Sequence, residues 1–373
     1  PPLCYLLYNI MPQTSGKYKY FDDKKTKKCY LLLDEELFKR GEMNMLRKIL
    51  SLALTVYCTC ACLNSIPAVQ AKSLPEQGYK RIVIVSDAHY PSKSNRFTQP
   101  DMWQQKINRK VQAAKDINSW QDVNLVAFTG DIVALTGSEH DREQAKSYVD
   151  LFTKPKAILS GNHEFTYRDI RRANGKLVHA SLTEQHAKLQ AFQEEFDLKK
   201  LYRAQKMGPY ELIFLSPEPV TGKHLCELSK RQLTWLDKKL SAHPDRPTII
   251  FFHAPLTGTL AKDSKAGKAG NIYAEPHKKL AQILQQHAQI KLWVSGHTHT
   301  PPTNPSFASP RNYTHGILDV YNPTLDGKRI WTNSLYLYPD KIVIKTFDHQ
   351  AQKFLDKFTR TVPVKSVDLS QAA

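Results

Sequence analysis

Five short apolar runs recur along the chain, and each is rich in β-branched and aromatic residues. None of them alternates between apolar and polar positions, which is typical of strands that are buried on both faces. The runs span residues 81–86, 124–129, 157–160, 248–252 and 292–295. The pattern therefore predicts five core strands.

Between these runs the apolar residues fall at helical spacing. Leu233, Leu236 and Leu240 would share one face of a helix that begins near Ser229. The predicted helices span residues 102–117, 186–196, 229–240 and 275–287. Because predicted strands and helices alternate, we expect layered α/β packing.

Strand patterns return after a proline-rich loop at 301–305. The predicted strands span residues 316–320, 329–332, 334–337 and 341–347, with a turn at Pro339-Asp340. We expect them to belong to a second sheet of one domain that spans 72–373. In that domain the main motifs lie within 80–300 and the C-terminal strands within 301–362.

Each of the five core runs ends in a short polar fragment. Because ligands of open α/β sheets bind beyond the carboxyl ends of the strands, we expect these fragments to share one crevice. They supply seven potential metal ligands: Asp87, His89, Asp131, Asn162, His253, His297 and His299. This number of carboxylate, amide and imidazole groups is suited to two divalent metal ions.

The residue types suggest how the ions would be held. Asp87 and His89, two positions apart in an extended segment, would face the same metal. Asp131 has two carboxylate oxygens, which allow it to bridge two ions. The mixed nitrogen and oxygen set suits Mn, Fe, Zn or Co better than Mg or Ca, and we expect no thiolate in it.

Two such ions polarise a phosphoryl group and generate a metal-bound hydroxide, which is the chemistry of phosphoester hydrolysis. His163 adjoins Asn162 and is predicted to protonate the leaving oxygen or to stabilise charge in the transition state. Glu164 is predicted to orient His163 from behind.

In their order along the chain, the five polar fragments resemble the motifs of the calcineurin-like metallophosphoesterase superfamily. The fragments are Asp87-Ala88-His89, Gly130-Asp131, Gly161-Asn162-His163-Glu164, His253 and Gly296-His297-Thr298-His299. The family pattern is D-x-H, G-D, G-N-H-[D/E], H and G-H-x-H. The match spans roughly residues 80–300. Residues 228–236 resemble, more weakly, a helix of the secreted and cyclic-nucleotide-phosphodiesterase-like members.

The resemblance implies a four-layer α/β-β/α sandwich with two central mixed sheets and a dinuclear metal centre. It implies a first metal on Asp87, His89, Asp131 and His299, a second on Asp131, Asn162, His253 and His297, and a catalytic role for His163. Purple acid phosphatases add a tyrosine three residues after the Gly-Asp aspartate. Ala134 stands there in this chain, so that subgroup is not expected.

Residues 45–71 have the pattern of a secretory signal peptide. Arg47 and Lys48 precede an apolar run at 49–62, and Val69-Gln70-Ala71 fits a cleavage site. The run is shorter than the ~20 residues of a membrane-spanning helix. We therefore expect an exported protein, with a lipoprotein anchored through Cys60 or Cys62 as the alternative.

Residues 1–44 precede this signal. We expect them to be disordered and to be upstream DNA translated in frame, with the true start at Met43 or Met45. The alternative is a real extension ahead of an uncleaved anchor. Cleavage after Ala71 would leave Cys226 as the only cysteine of the mature chain, and we expect it to be a buried structural thiol.

The formal net charge is +18, from 53 Lys and Arg against 35 Asp and Glu. Nucleic-acid binding is one explanation, but a basic, solvated surface is favoured because the charges are spread along the chain. Four of them, Arg168, Arg171, Arg172 and Lys176, follow the third fragment. They would bind a second phosphate or, as favoured, form the solvated face of a helix or loop.

Two other residues are weaker candidates for substrate contacts. His315 follows the last motif in a long connection, and Tyr90 adjoins His89. A stacking role for Tyr90 on a base or aryl group and a simple packing role are equally consistent with the sequence.

The sequence thus predicts an exported metallophosphoesterase acting on a small phosphoester. The alternatives are a nuclease or phosphodiesterase acting on extracellular nucleic acid or nucleotides, and a non-catalytic binding protein that retains the fold. Substrate identity, monoester or diester preference, the metals and the oligomeric state are not determined by these motifs.

Overall fold

The structure is a computed structural model that describes residues 78–172, 175–261 and 271–364, together with the backbone of 18–23 and 28–33. The chain divides into two units, Pro1–Pro75 and Glu76–Ala373. In the first, β1 (Tyr18–Asp23) pairs antiparallel with β2 (Lys28–Leu33). The expectation for residues 1–44 stays a prediction, and the predicted signal peptide at 45–71 lies outside the described residues.

The second unit alternates strands and helices before it ends in a series of strands. Its helices are α1 (Pro100–Ser119), α2 (Glu139–Asp150), α3 (Leu182–Glu195), α4 (Lys230–Ser241) and α5 (His277–Gln286). Its first strands are β3 (Lys80–Val85), β4 (Val123–Thr129), β5 (Lys156–Leu159), β6 (Tyr167–Arg171), β7 (Leu177–His179), β8 (Tyr202–Met207), β9 (Tyr210–Leu215), β10 (Thr248–Phe251) and β11 (Ile290–Ser295). Its later strands are β12 (Tyr313–Thr314), β13 (Ile317–Tyr321), β14 (Trp331–Leu337), β15 (Lys341–Asp348), β16 (Lys353–Phe354) and β17 (Arg360–Pro363).

Two mixed sheets form the centre of this unit. One has the order β16-β15-β14-β3-β4-β5, with β17 paired to β15, and the other has the order β12-β13-β11-β10-β9-β8. Strands β3, β4 and β5 run parallel, as do β9, β10, β11 and β13. All five strands that precede a polar fragment are therefore interior to a sheet or parallel to a neighbour, as their continuous apolar composition predicts.

Alternate residues of each strand face opposite sides, and this divides the core into layers. Ile82 and Ile84 of β3 pack between the two sheets, in one buried cluster with Phe251 of β10. Val83 and Val85 of β3 face the other way and pack against the helices that cover the first sheet.

Helices cover the outer face of the second sheet in the same way. Leu233, Leu236 and Leu240 of α4 are buried in one cluster with Ile283 of α5 and Trp293 of β11. The predicted helical face is thus confirmed, and the four-layer α/β-β/α sandwich with two mixed central sheets is the observed architecture.

The C-terminal strands correct one expectation. Only β12 and β13 join the second sheet, whereas β14 to β17 extend the sheet of β3, and β14 pairs antiparallel with β3 itself. The predicted strands at 329–332 and 334–337 are one strand, which turns at residues 338–340 into β15. Sheet membership depends on pairing partners distant in sequence, which strand periodicity does not encode.

The apolar pattern did not predict α2 or the pair β8 and β9. Helix α2 buries only Ala145, Tyr148 and Val149, too few apolar residues to form a recognisable stripe. Ser138 caps its first turn by accepting a hydrogen bond from the Asp141 amide, the local feature by which it is detectable in the sequence. Within the described residues, no helix has the length and apolar character needed to cross a membrane.

Candidate metal centre

The polar fragments lie in loops with an unusual backbone conformation. Five of the predicted ligands adopt positive φ: Asp87 at 49°, His89 at 42°, Asp131 at 51°, His297 at 63° and His299 at 52°. Positive φ is uncommon in residues other than glycine, and it clusters at functional sites. Asp87 and His89 therefore do not share a face through extended geometry, as the sequence suggested.

Backbone pairing between loops holds these residues in place. The Asp87 amide donates to the Gly130 carbonyl at 3.1 Å, and the His89 amide donates to the Asp131 carbonyl at 2.9 Å. The loop after β3 thus lies directly on the loop after β4, which brings the first two fragments together.

Glycines in the motifs allow the fragments to approach each other. A Cβ atom on Gly161 would collide with the Asp131 side chain and the His253 imidazole, and one on Gly296 would collide with Ser86 and Asp87. Any larger residue at either position would push apart groups that must converge at the site.

The four ligands predicted for the first metal, Asp87, His89, Asp131 and His299, come together from three loops. The Nε2 atoms of His89 and His299 lie 3.1 Å apart. His299 Nε2 is 3.2 Å from Asp87 Oδ1, and His89 Nε2 is 3.8 Å from Asp131 Oδ2. One potential ligand atom from each of these residues lies within 4.8 Å of all the others, a spacing that suits one ion.

The remaining ligands lie around His253, which also contacts Asp131. His253 Nε2 is 3.3 Å from Asp131 Oδ2 and 3.3 Å from Asn162 Oδ1. The His297 ring stands against the His253 ring, with their centroids 5.0 Å apart. The Asp131 carboxylate therefore faces both groups, which is the position a bridging ligand requires.

Backbone carbonyls fix which nitrogen each imidazole presents to the site. His89 Nδ1 lies 3.3 Å from the Val133 carbonyl, and His253 Nδ1 lies 2.7 Å from the Thr129 carbonyl. Because a carbonyl only accepts hydrogen bonds, Nδ1 carries the proton and Nε2 is left to bind a metal. This anchoring is the arrangement usual behind metal-binding histidines.

Electrostatics at the site also suit a cation. Burial raises the pKa of the Asp131 carboxyl, but the neighbouring imidazoles, His253 foremost, outweigh burial and hold it well below its usual range. Burial lowers the pKa of His253, but the Asp131 carboxylate raises it to about 9. Carboxylate, amide and imidazole donors thus meet in a buried space, and the donor set fits two divalent ions.

His163 is placed beside this donor set. Its Nδ1 donates to the Leu135 carbonyl at 2.5 Å, and its backbone amide donates to Asp131 Oδ1 at 2.8 Å. Burial lowers the pKa of His163 to about 4. Its Nε2 remains directed toward Lys93, whose Nζ lies 3.1 Å away.

Lys93 was not identified from the sequence. Its Nζ is also 3.3 Å from His89 Nε2, and burial lowers the pKa of its ammonium group. It follows His89 by four residues on the same loop, so closeness to the first motif was the available signal. Lys93 adds a cationic group to the edge of the metal centre.

A buried network supports the loop that carries His89 and Lys93. Lys110 of α1 is fully buried, and its Nζ donates to the carbonyls of His89 at 3.1 Å and Pro91 at 2.8 Å. It also donates to Asp326 Oδ1 at 2.7 Å, and Asp326 accepts a hydrogen bond from the Lys93 amide at 3.3 Å.

Glu164 supports the backbone of the Asp131 loop rather than the His163 imidazole. Its carboxylate accepts hydrogen bonds from the amides of Asp131 at 3.0 Å, Ile132 at 2.7 Å, Val133 at 3.1 Å and Gly161 at 2.5 Å. No hydrogen bond joins it to the His163 side chain in the described part of the chain. Glu164 therefore fixes the backbone of the bridging aspartate.

Cys226 lies near two of the predicted ligands, which the sequence did not indicate. It is buried, as predicted, but its Sγ and ligand nitrogens of His253 and His297 all lie within 4.8 Å of one another. Burial, followed by the Asp131 carboxylate, raises the pKa of the thiol well above its usual value. Tyr167, also unpredicted, packs on His163 with ring centroids 5.0 Å apart and hydrogen-bonds to Asn162.

The weaker sequence candidates lie elsewhere or act in packing. Tyr90 stacks on Tyr148 with ring centroids 4.7 Å apart. His315 is exposed beside Gln285, and no described contact joins it to the metal centre. Arg168 is 46% exposed in the β6–β7 hairpin, where a helix or loop was expected, and it faces Glu184 at 3.4 Å.

Comparison with known proteins identifies the class to which this fold and site belong. The family model for calcineurin-like phosphoesterases matches residues 80–301. The chain belongs to this family, and phosphoester hydrolysis is its chemistry.

Similar proteins include two named as phosphodiesterases. A probable glycerophosphodiester phosphodiesterase from Arcobacter nitrofigilis is 26% identical over 226 residues, which are 60% of this chain and 72% of that protein. A probable cyclic nucleotide phosphodiesterase from Synechococcus is 25% identical over 178 residues, 47% of this chain and 58% of that protein.

Solved structures share the fold at low sequence identity. A dimetal phosphatase from Danio rerio superposes with a TM-score of 0.50 at 15% identity, over 77% of this chain and 99% of that one. A purple acid phosphatase from yellow lupin has a TM-score of 0.51 at 13% identity, over 78% of this chain and 55% of that one.

Proposed function

We propose that this protein is an exported, two-metal phosphodiesterase that hydrolyses small phosphodiesters. The observation that carries the proposal is that two groups of donors meet at the Asp131 carboxylate. Asp87, His89 and His299 form one group with it, and His253, which lies beside Asn162 and His297, contacts the same carboxylate from the other group. We propose Mn, Fe, Zn or Co for the two ions, from the mixed nitrogen and oxygen donors.

When bound, two such ions polarise the phosphoryl group and activate water for attack. The chain itself would position the substrate and manage charge. Lys93 Nζ and His163 Nε2 face each other at 3.1 Å, so both reach the edge of the same space. Lys93 would donate to a phosphoryl oxygen. His163 holds its one proton at Nδ1 when neutral, so it would take up a second proton at Nε2 before it protonates the leaving oxygen or stabilises its charge.

A diester preference has two supports. Two curated relatives are named as probable phosphodiesterases, and among the described residues Lys93 is the one cation within hydrogen-bonding distance of the His89 and His163 side chains. A diester carries a single negative charge on its phosphate, and it therefore needs less cationic compensation than a monoester dianion.

The test is a substrate panel with chelated and metal-loaded protein. Bis(p-nitrophenyl) phosphate, p-nitrophenyl phosphate, glycerophosphodiesters and cyclic nucleotides should be compared with each metal in turn. We expect turnover of diesters that requires metal and is lost in Asp131→Asn but kept in the matched surface control Asp340→Asn. Metal-loaded protein without turnover on any ester would refute the proposal.

The nuclease alternative is tested in the same panel with single-stranded DNA at increasing salt. If the protein is a nuclease that binds DNA through its basic surface, its rate of DNA hydrolysis should exceed its rate on small diesters. That rate should also fall steeply as the salt concentration rises. We expect the small diesters to be the better substrates.

Export is proposed from the pattern of residues 45–71. The native protein should be recovered outside the cytoplasm with Lys72 as its first residue. A native N-terminus upstream of Met43 would contradict both the start site and the cleavage that we propose.

A further inference from the structure

Cys226 is the one cysteine within the described part of residues 78–364, and it lies beside two imidazoles of the metal centre. The residue is 1% exposed, and its Sγ belongs to a group with His253 and His297 in which every pair of potential ligand atoms is within 4.8 Å. Zinc holds thiolate sulfur at ~2.3 Å and imidazole nitrogen at ~2.0 Å, so ligands of one ion need this mutual closeness.

Independent contacts place oxygen donors around the same imidazole. His253 Nε2 is 3.3 Å from Asp131 Oδ2 and 3.3 Å from Asn162 Oδ1. The thiol and the two oxygen ligands therefore all approach the His253 imidazole, whose Nδ1 lies 2.7 Å from the Thr129 carbonyl. A cation held by Cys226, His253 and His297 would have sulfur and nitrogen donors, with oxygen donors close to the His253 imidazole.

The backbone holds the cysteine at this position. The Cys226 carbonyl accepts a hydrogen bond from the Glu275 amide at 3.0 Å. The Leu228 amide in turn donates to the Glu275 carbonyl at 2.7 Å, so this segment is paired on both sides of Glu275. In the described part of the chain, no hydrogen bond is made by the thiol itself. The side chain is thus fixed without a polar partner of its own.

We propose that Cys226 is a thiolate ligand of the second metal ion, together with His253 and His297. The proposal rests on the proposed function, because it needs a metal at that position. On binding, the thiol proton passes to solvent and the sulfur electron pair is donated to the ion. Sulfur favours Zn, Co or Fe over Mn at this site, so the two positions would differ in metal preference.

The test uses cobalt, because a thiolate bound to Co²⁺ gives a charge-transfer band in the near ultraviolet. The other five cysteines, at positions 4, 29, 58, 60 and 62, would also bind cobalt, so the full chain should carry serine at all five. This background protein is stripped by chelation and titrated with Co²⁺, and absorption is followed alongside metal content.

We expect two bound Co²⁺ and a charge-transfer band that appears with one of them. Cys226→Ser in the same background should remove the band and weaken binding of that ion at least about tenfold, while the other ion is retained. Competition between Zn²⁺ and Mn²⁺ should show a Zn preference at the second site that falls at least about tenfold in the same variant.

The outcomes separate the two proposals. Two bound Co²⁺ without a charge-transfer band would overturn the role of Cys226 and leave the metallophosphoesterase assignment standing. Failure of the folded background protein to bind any Co²⁺ would overturn both. The band is measured with Cys226 in place, so the answer does not depend on the folding of Cys226→Ser, and circular dichroism checks each protein.

Discussion

Lys93 Nζ lies 3.1 Å from His163 Nε2, which joins a lysine from the first motif loop to the histidine predicted to be catalytic. The lysine is largely buried by its surroundings, and its ammonium group has no carboxylate within hydrogen-bonding distance among the described residues. A buried cation without a partner carboxylate is suited to an anionic ligand.

Replacing Lys93 by alanine should therefore lower kcat/KM for a phosphodiester by about 10²-fold, as expected for the loss of one donor to the reacting group. The metal content should stay at the wild-type level, because Lys93 is not a ligand. Steady-state kinetics and metal analysis measure both. Lys146→Ala, on the exposed side of α2, is the control, and equal rates for the two variants would refute the role.

Metal stoichiometry should distinguish the bridging ligand from the others. Asp131→Ala removes a carboxylate that faces both donor groups, so bound metal should fall from two ions to fewer than one. His299→Ala removes a ligand of the first group only and should retain one ion. Elemental analysis after gel filtration measures this, and identical losses in the two variants would contradict a bridging position.

Glu164→Ala should destabilise the fold as well as the site. Four backbone amides would lose their acceptor in a buried region, which costs about 2–4 kcal/mol even after partial relaxation. Urea unfolding of the metal-free protein measures the change. Glu184→Ala at the exposed start of α3 should cost much less, and a comparable loss in both would show that Glu164 is not an anchor.

Asp319 predicts a pH dependence of stability. It is fully buried and accepts hydrogen bonds from Ser295, Thr259 and the Leu256 amide, but burial outweighs them and raises its pKa from 3.8 to about 7. The folded state therefore holds this proton more tightly than the unfolded state. Its stabilising effect is present below pH ~4 and is lost as the pH rises to about 7, by up to about 4 kcal/mol.

The measurement is the free energy of unfolding of metal-free protein between pH 5 and pH 8. Asp319→Asn cannot titrate, so the difference between wild type and variant should change across this range in favour of the variant at high pH. A difference that is independent of pH would show that Asp319 is ionised throughout.

Much of the fold followed from local pattern. Continuous apolar runs identified β3, β4, β5, β10 and β11, and the leucines of α4 identified its buried face. The edge strand β8 and helix α2 were missed because each buries few apolar residues, so their period is hidden. The assignment of β14 to β17 to the first sheet was missed because it depends on long-range pairing.

The sequence by itself determined the identity of the seven predicted ligands and their place at strand ends, because motif chemistry and strand burial are both local. Only the tertiary structure showed that Cys226 and Lys93 approach them and that Glu164 anchors the Asp131 loop. These contacts join loops that are far apart in sequence or bend through positive φ, and no short-range pattern specifies such geometry. The sequence thus identified the chemistry, and the packing of the two sheets decided which side chains surround it.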